Sequence, residues 1–313
     1  MRNLNCTTLI LDGGLGTSLE DKYKVTFSGD QTPLWSSHLL LSDQKTLLSC
    51  QSDFGDVGAD IISTATYQVS IDGFAATKTP EWPRGVSIAN VGQFLEDAVL
   101  IANEASGAGA VALSLGPYGA TMVPSTEYSG KYDAAHDTSK KLFDWHMERF
   151  MLFVKASGLL QRTSYVAFET IPRADEIMAV RRVIAAVGRL GPVASKRVKP
   201  WISCVFPGDD DRLPDGSSVE DVVTAMLSSQ VSSVQPWGIG INCTRVGKLA
   251  SLVKKFENVV KNLVLLGDIS AWPSLVLYPD GTNGEVYNTT TKTWELPEGV
   301  KAPDVSSYCF RGP

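Results

Sequence analysis

A (β/α)8 barrel, with its eighth strand and the helix before it missing or degenerate, is the fold class predicted by this 313-residue chain. Three observations carry that prediction. Short β-rich runs alternate with longer amphipathic stretches, the alternation continues along the chain, and no break in composition splits it into two domains. The first strand is expected at 7–11, followed by a helix over 42–57 that opens on a Ser42 cap and carries Leu47, Leu48, Phe54 and Val57. A second strand at 60–65 leads to a helix over 86–105, whose Ile88, Val91, Leu95, Val99 and Ala102 form one apolar stripe. Strands at 110–115, 165–168, 201–206, 238–242 and 274–278 then alternate with helical patterns at 137–157, 173–187, 217–229 and 246–260. An eighth strand is hard to place, because Pro297, Gly299 and Pro303 interrupt the few residues after Trp294. The stretch 305–310 is compatible with a short strand, but no seventh helix precedes it. Residues 1–294 are therefore read as one barrel domain and 295–313 as an altered tail.

Composition narrows the partners. With 28 basic against 34 acidic residues the formal charge is −6, the wrong sign for holding phosphate backbones, so nucleic acid is excluded in favour of small molecules. No stretch approaches the roughly 18–20 apolar residues of a membrane span, and the N-terminus has no apolar signal region, which predicts a cytoplasmic protein without membrane attachment. The five scattered cysteines, Cys6, Cys50, Cys204, Cys243 and Cys309, fit free thiols in a reducing compartment. Oligomeric state is not legible in the chain.

Polar and glycine residues cluster after the predicted strands, which in a barrel converge on one face. Asp12-Gly-Gly-Leu-Gly-Thr17 follows the first strand and offers a carboxylate to an ammonium group. Position 19 is leucine, so this is no dinucleotide fingerprint. The same turn also reads as an ordinary tight βα connection. Thr64-Ala-Thr-Tyr-Gln68 and Ser114-Leu-Gly-Pro-Tyr-Gly119 deliver hydroxyls and the rings of Tyr67 and Tyr118 to that mouth, where they either face a cation or plug the rim. Glu169 comes straight after an apolar run, and burying it there demands a donor. Cys243 ends the run Trp237-Gly-Ile-Gly-Ile-Asn242 where a helix begins, a position suited to a metal ligand or a nucleophile. His38, His136 and His146 show no metal spacing, and His146 reads as a structural or surface residue of its helix.

Taken in order, Leu11–Thr17, Ala59–Gln68, Ser114–Ala120, Phe168–Pro172, Gly240–Thr244 and Gly284–Tyr287 resemble the zinc-dependent homocysteine S-methyltransferase family. The resemblance implies methyl transfer from S-methylmethionine or S-adenosylmethionine to homocysteine, giving methionine. It implies Zn2+ as cofactor, with Cys243 as one of three zinc thiolates. Glu169 and the Asp12-Gly13 turn would hold the homocysteine amino group, and Thr66, Tyr118 and Asn242 would line the pocket. Those residue types suit the chemistry. Coordination strips a thiol of its proton, and attack of a thiolate on a sulfonium cancels two charges, which a desolvated mouth favours.

The C-terminus departs from the family pattern. A Gly-Gly-Cys-Cys-Arg motif supplies the other two thiolates there, whereas this chain has Tyr308-Cys-Phe-Arg311, leaving Cys309 as the nearest counterpart. Two thiolates instead of three predict zinc that is weakly bound or absent. The alternative function is a catalytically impaired amino-acid-binding or regulatory barrel that keeps Glu169 without a complete zinc site.

Overall fold

The computed structural model describes residues 8–28, 31–156, 158–189, 198–281, 286–288 and 293–296. Six strands, β1 (Ile61–Ser63), β2 (Ala110–Leu115), β3 (Tyr165–Ile171), β4 (Lys199–Cys204), β5 (Gly238–Arg245) and β6 (Ser274–Asp280), form one sheet in sequential order, every pair parallel. Ahead of them Leu11 makes a single parallel bridge to Ile61, reinforced by Asp12 N–H donating to the Ile61 carbonyl at 3.0 Å. The expected first strand is thus reduced to the residues around Leu11, and residue 7 lies outside the described set.

Helices make the crossovers that parallel pairing requires. They are α1 (Gln44–Asp56), α2 (Ile88–Ser106), α3 (Ser139–Lys155), α4 (Ala174–Gly188), α5 (Val219–Leu227) and α6 (Val246–Leu265). Their starts follow capping chemistry. Asp43, not Ser42, accepts from Thr46 N–H to open α1, Thr138 caps α3, and Ser218 and Asp221 form a reciprocal capping box on α5. Ser42 instead ends a short preceding turn of helix.

The period of two along each strand divides the packing. On β3, Val166 and Phe168 join the large cluster beneath the helices with Leu95, Val180 and Ile202, while Tyr165 and Ala167 face inward with Ile61, Ala112 and Trp201. Each fully buried large apolar side chain contributes about 1.5–3 kcal/mol, which sets the strand faces. β5 carries Gly238 and Gly240 for a steric reason. A Cβ at Gly240 would stand 2.2 Å from the Val276 carbonyl oxygen of β6.

The architecture is a six-stranded, sequentially wound half-barrel, consistent with a partial TIM-like barrel. The expected eighth strand at 305–310 lies outside the described residues. After β6 the described chain forms a small antiparallel pair, β7 (Val286–Asn288) with β8 (Thr293–Glu295), which sequence reasoning did not anticipate. At the edges of the described sheet apolar side chains are partly exposed: Leu275 is 50% and Leu277 39% exposed on β6, and Leu9 43% and Ile10 59% on the first edge. Among the described residues no helix is long and apolar enough to cross a membrane.

Candidate active site

The C-terminal ends of the strands bring Asp12, Glu169, Asn242 and Cys243 together. Asp12 accepts from Ser63 N–H at 2.7 Å and Ser63 Oγ at 2.9 Å, which fixes its carboxylate against β1. Burial pushes its pKa up to about 7, nearby Glu169 adds to the rise, and the Ser63 bonds offset only part of it. Glu169 Oε1 accepts from Ser114 Oγ, and a second donor is the phenol of Tyr278. Burial raises this carboxyl above its usual range despite those bonds and the attraction of Arg149. Two carboxyl groups whose pKa values burial raises suit an incoming ammonium, whose charge favours the ionised form of each.

Beside the sulfur, Thr170 at φ +60° and Cys243 itself at φ +46° adopt left-handed backbone. Each costs roughly 1–3 kcal/mol unless its surroundings enforce it. Asn242 does so for both. Its Oδ1 accepts from Thr170 N–H at 2.8 Å, and its Nδ2 donates to Thr170 Oγ1 at 2.7 Å and to Cys243 Sγ at 3.2 Å. Thr170 Oγ1 stands 3.8 Å from the same sulfur, and Tyr128 also hydrogen-bonds it. Burial, then the nearby Glu169, push the thiol up to about 11, so without a cation it is protonated at neutral pH.

The pocket rings are not the expected pair. Tyr67 lies beside Cys243 with its hydroxyl on Thr170, and the Trp35 ring meets it edge-on at 6.3 Å. Tyr118 belongs to another group. It stacks on His136 at 4.0 Å, bonds Asp133 and packs against Tyr132 and Trp145. Thr66 is wholly buried, with its hydroxyl committed to the Ser114 carbonyl at 2.7 Å, so it staples β1 to β2 instead of presenting itself to a ligand. The glycines of the first turn also serve packing. A Cβ at Gly16 would enter the Trp35 ring at 2.1 Å, and one at Gly13 would meet Phe54 at 2.8 Å, although the Gly13 backbone itself is exposed.

Arg149 and Tyr278 were missed by sequence reasoning. Arg149 crosses from α3 to hold three carbonyls, Gly116 at 2.7 Å, Thr66 at 3.0 Å and Tyr67 at 2.6 Å, and burial lowers its pKa to about 9. The available signal was its place on one helical stripe with His146, Phe150 and Phe153, all buried. His146 is structural, bonded at 2.9 Å to the buried Glu176.

The donors among the described residues do not make up a catalytic zinc site. Among the described residues no group of three His, Cys, Asp or Glu could hold a metal, and Cys243 brings a single soft donor. Cys309, the second expected thiolate, lies outside the described residues.

The model of the homocysteine S-methyltransferase family matches residues 9–305. The chain belongs to that family. It is 30% identical over 292 residues to homocysteine S-methyltransferase of Escherichia coli, covering 91% of this chain and 81% of that protein. It is 28% identical over 300 residues to homocysteine S-methyltransferase 1 of Arabidopsis thaliana, covering 91% and 79%. Among solved structures, the E. coli homocysteine methyltransferase MmuM in its metallated form superposes with a TM-score of 0.63 at 25% identity, covering 90% of this chain and 86% of that one.

Proposed function

We propose that this family member binds homocysteine at the strand ends and catalyses methyl transfer to its sulfur from a sulfonium donor, S-methylmethionine or S-adenosylmethionine. The observation that carries the reading is the placement of Glu169 near both Asp12 and Cys243, so that two carboxyl groups and a thiol share the strand ends. Their role is to take the substrate ammonium, leaving its thiol directed toward Cys243. Tyr67, with Trp35 against it, offers an aromatic face to the donor cation. Homocysteine loses its thiol proton to solvent, its sulfur attacks the methyl carbon, and the methyl–sulfonium bond breaks with its electron pair returning to the donor sulfur. Two neutral thioethers result, a change that a dry mouth favours, and no general base is needed at the methyl carbon.

No step is assigned to zinc. Cys243 and Cys309 are the only soft donors that the family pattern leaves in this chain, and catalytic zinc ordinarily takes three protein ligands. The reading therefore expects zinc well below one ion per chain and slow turnover. Residues 1–294 are taken as the catalytic barrel, 295–313 as an altered tail, and the cytoplasm as the location. The test is methionine formation from homocysteine with each donor, alongside zinc content by mass spectrometry. Slow turnover abolished in Cys243→Ser is expected, whereas a protein that fails to bind homocysteine overturns the proposal. The replacement of the family's paired C-terminal cysteines by Cys309-Phe310 favours one second reading, an amino-acid-binding barrel without turnover. Homocysteine binding with no methionine from either donor would establish it.

A further inference from the structure

Tyr278 stands at the C-terminal end of β6, paired in register with Asn242 of β5. Its hydroxyl is surrounded by polar partners. Trp201 Nε1 donates to it at 3.1 Å, and Ser203 Oγ lies 2.6 Å away. The phenol is also in hydrogen-bond contact with Glu169. A tyrosine hydroxyl has one proton and two lone pairs, whereas an indole N–H is only a donor. Trp201 therefore occupies one lone pair; either hydroxyl can donate in the Ser203 contact, and when Ser203 donates the single phenolic proton is left for the Glu169 carboxylate. Trp201 is 1% and Ser203 0% exposed, so these two cannot trade Tyr278 for water. From the other side Ser114 Oγ donates to Glu169 Oε1.

We propose that Tyr278 is a positioning residue and a specificity element, which holds Glu169 as an oriented carboxylate and so makes the mouth select α-amino acids over otherwise identical ligands without the amino group. This rests on the reading of Glu169 as the ammonium site. The phenol supplies a charge-assisted hydrogen bond that exists only while Glu169 is ionised, so it opposes the pull of burial toward the neutral acid. Without it the carboxyl group protonates or turns, and the ammonium loses its counter-charge. Because Tyr278 is carried by β6, amino-acid selection also depends on the register between β5 and β6, where Gly240 admits the Val276 carbonyl.

Calorimetric titration of the full chain with L-homocysteine and with 4-mercaptobutanoate, which lacks only the amino group, gives the ratio that tests this. Wild type prefers homocysteine, and Tyr278→Phe, which keeps the ring against Trp201, lowers that preference about ten- to a hundredfold by weakening homocysteine binding alone. Ser203→Ala shifts the ratio in the same direction by less, and it decides the matter if Tyr278→Phe does not fold. Thermal melting distinguishes these effects from loss of structure. A wild-type preference that survives both substitutions within twofold would overturn the role of Tyr278. A wild type without any preference would instead overturn the ammonium reading of Glu169, and this inference with it.

Discussion

The ends of β3 and β5 and the outer flank of β6 belong to one sheet, yet they are finished very differently. At the first, Thr170 and Cys243 hold unfavourable backbone conformations and Asn242 locks them together with three hydrogen bonds. At the second, Leu275 and Leu277 are half exposed on an edge strand, with no described strand beyond it. The difference shows where the fold concentrates its precision. Positioning a sulfur to within hydrogen-bond distances requires strands paired on both sides, and β3, β4 and β5 each have two neighbours. Among the described residues β6 has one, and Tyr278 links it to the chemistry.

The strongest way to break the well-finished region is through Arg149. Arg149→Met keeps the length of the side chain but orphans the Gly116, Thr66 and Tyr67 carbonyls that the guanidinium holds. A loss of about 3–5 kcal/mol in urea denaturation is expected, since removing a buried charged partner leaves unsatisfied groups in a dry site. A loss below about 1 kcal/mol would mean that water replaces the guanidinium, and that the mouth is wetter than its burial implies.

The junction between the two regions is Gly240. In Gly240→Ala the new Cβ must push the Val276 carbonyl away, costing about 1–3 kcal/mol and loosening homocysteine binding through Tyr278. Gly92→Ala is the control. It lies in α2 with nothing within 4 Å of an added Cβ, and it should stabilise the protein by about 0.5–1 kcal/mol. If both alanines behave alike, the close β5–β6 approach is not what fixes the junction.

A smaller effect follows from Asp12. Its folded pKa of about 7 lies above the ordinary 3.8, so the folded state binds its proton more tightly than the unfolded state does. The stability this contributes is complete below the ordinary value and is lost as pH rises through about 7. The bound ammonium has the opposite preference and needs the ionised form. Homocysteine affinity should therefore rise about tenfold from pH 6 to 8, a gain of about 1.4 kcal/mol. Asp12→Asn should flatten that rise, and an unchanged pH profile would assign it to Glu169 alone.

What the sequence disclosed divides along the same line. The six strands of the sheet were legible because apolar runs bounded by turns mark buried parallel strands, and Asp12, Glu169, Asn242 and Cys243 were legible because each is the first polar residue after such a run or next to it. Thr66 and Tyr118 obey the same positional rule, but their side chains turn elsewhere, and nothing local to those loops encodes the direction. Arg149 and Tyr278 act across 83 positions to Thr66 and 77 to Trp201, separations that no local pattern reports. The Ser42 cap was displaced by its neighbour because Asp43 offers Thr46 two carboxylate oxygens, accepting from both its N–H and its hydroxyl. Cys309, and Gly284 with Glu285 of the last family motif, fall outside the described residues.

The smallest expected effect bears on the open flank itself. Leu275 and Leu277 alternate with Ser274, Val276 and Tyr278, so both project from the face of β6 away from the barrel interior, where Val276 packs beside Trp201. On a flank bathed in water a lysine is as well accommodated as a leucine, and Leu275→Lys or Leu277→Lys should change stability by no more than about 0.5 kcal/mol. If residues beyond Leu296 cover that face, the same substitutions would bury a charge against an apolar surface and cost several times as much. Urea denaturation of the two variants thus measures whether the flank is solvent-facing in the full chain. A loss above about 2 kcal/mol would show that β6 has a partner, and that the contrast between the two regions ends where the described chain does.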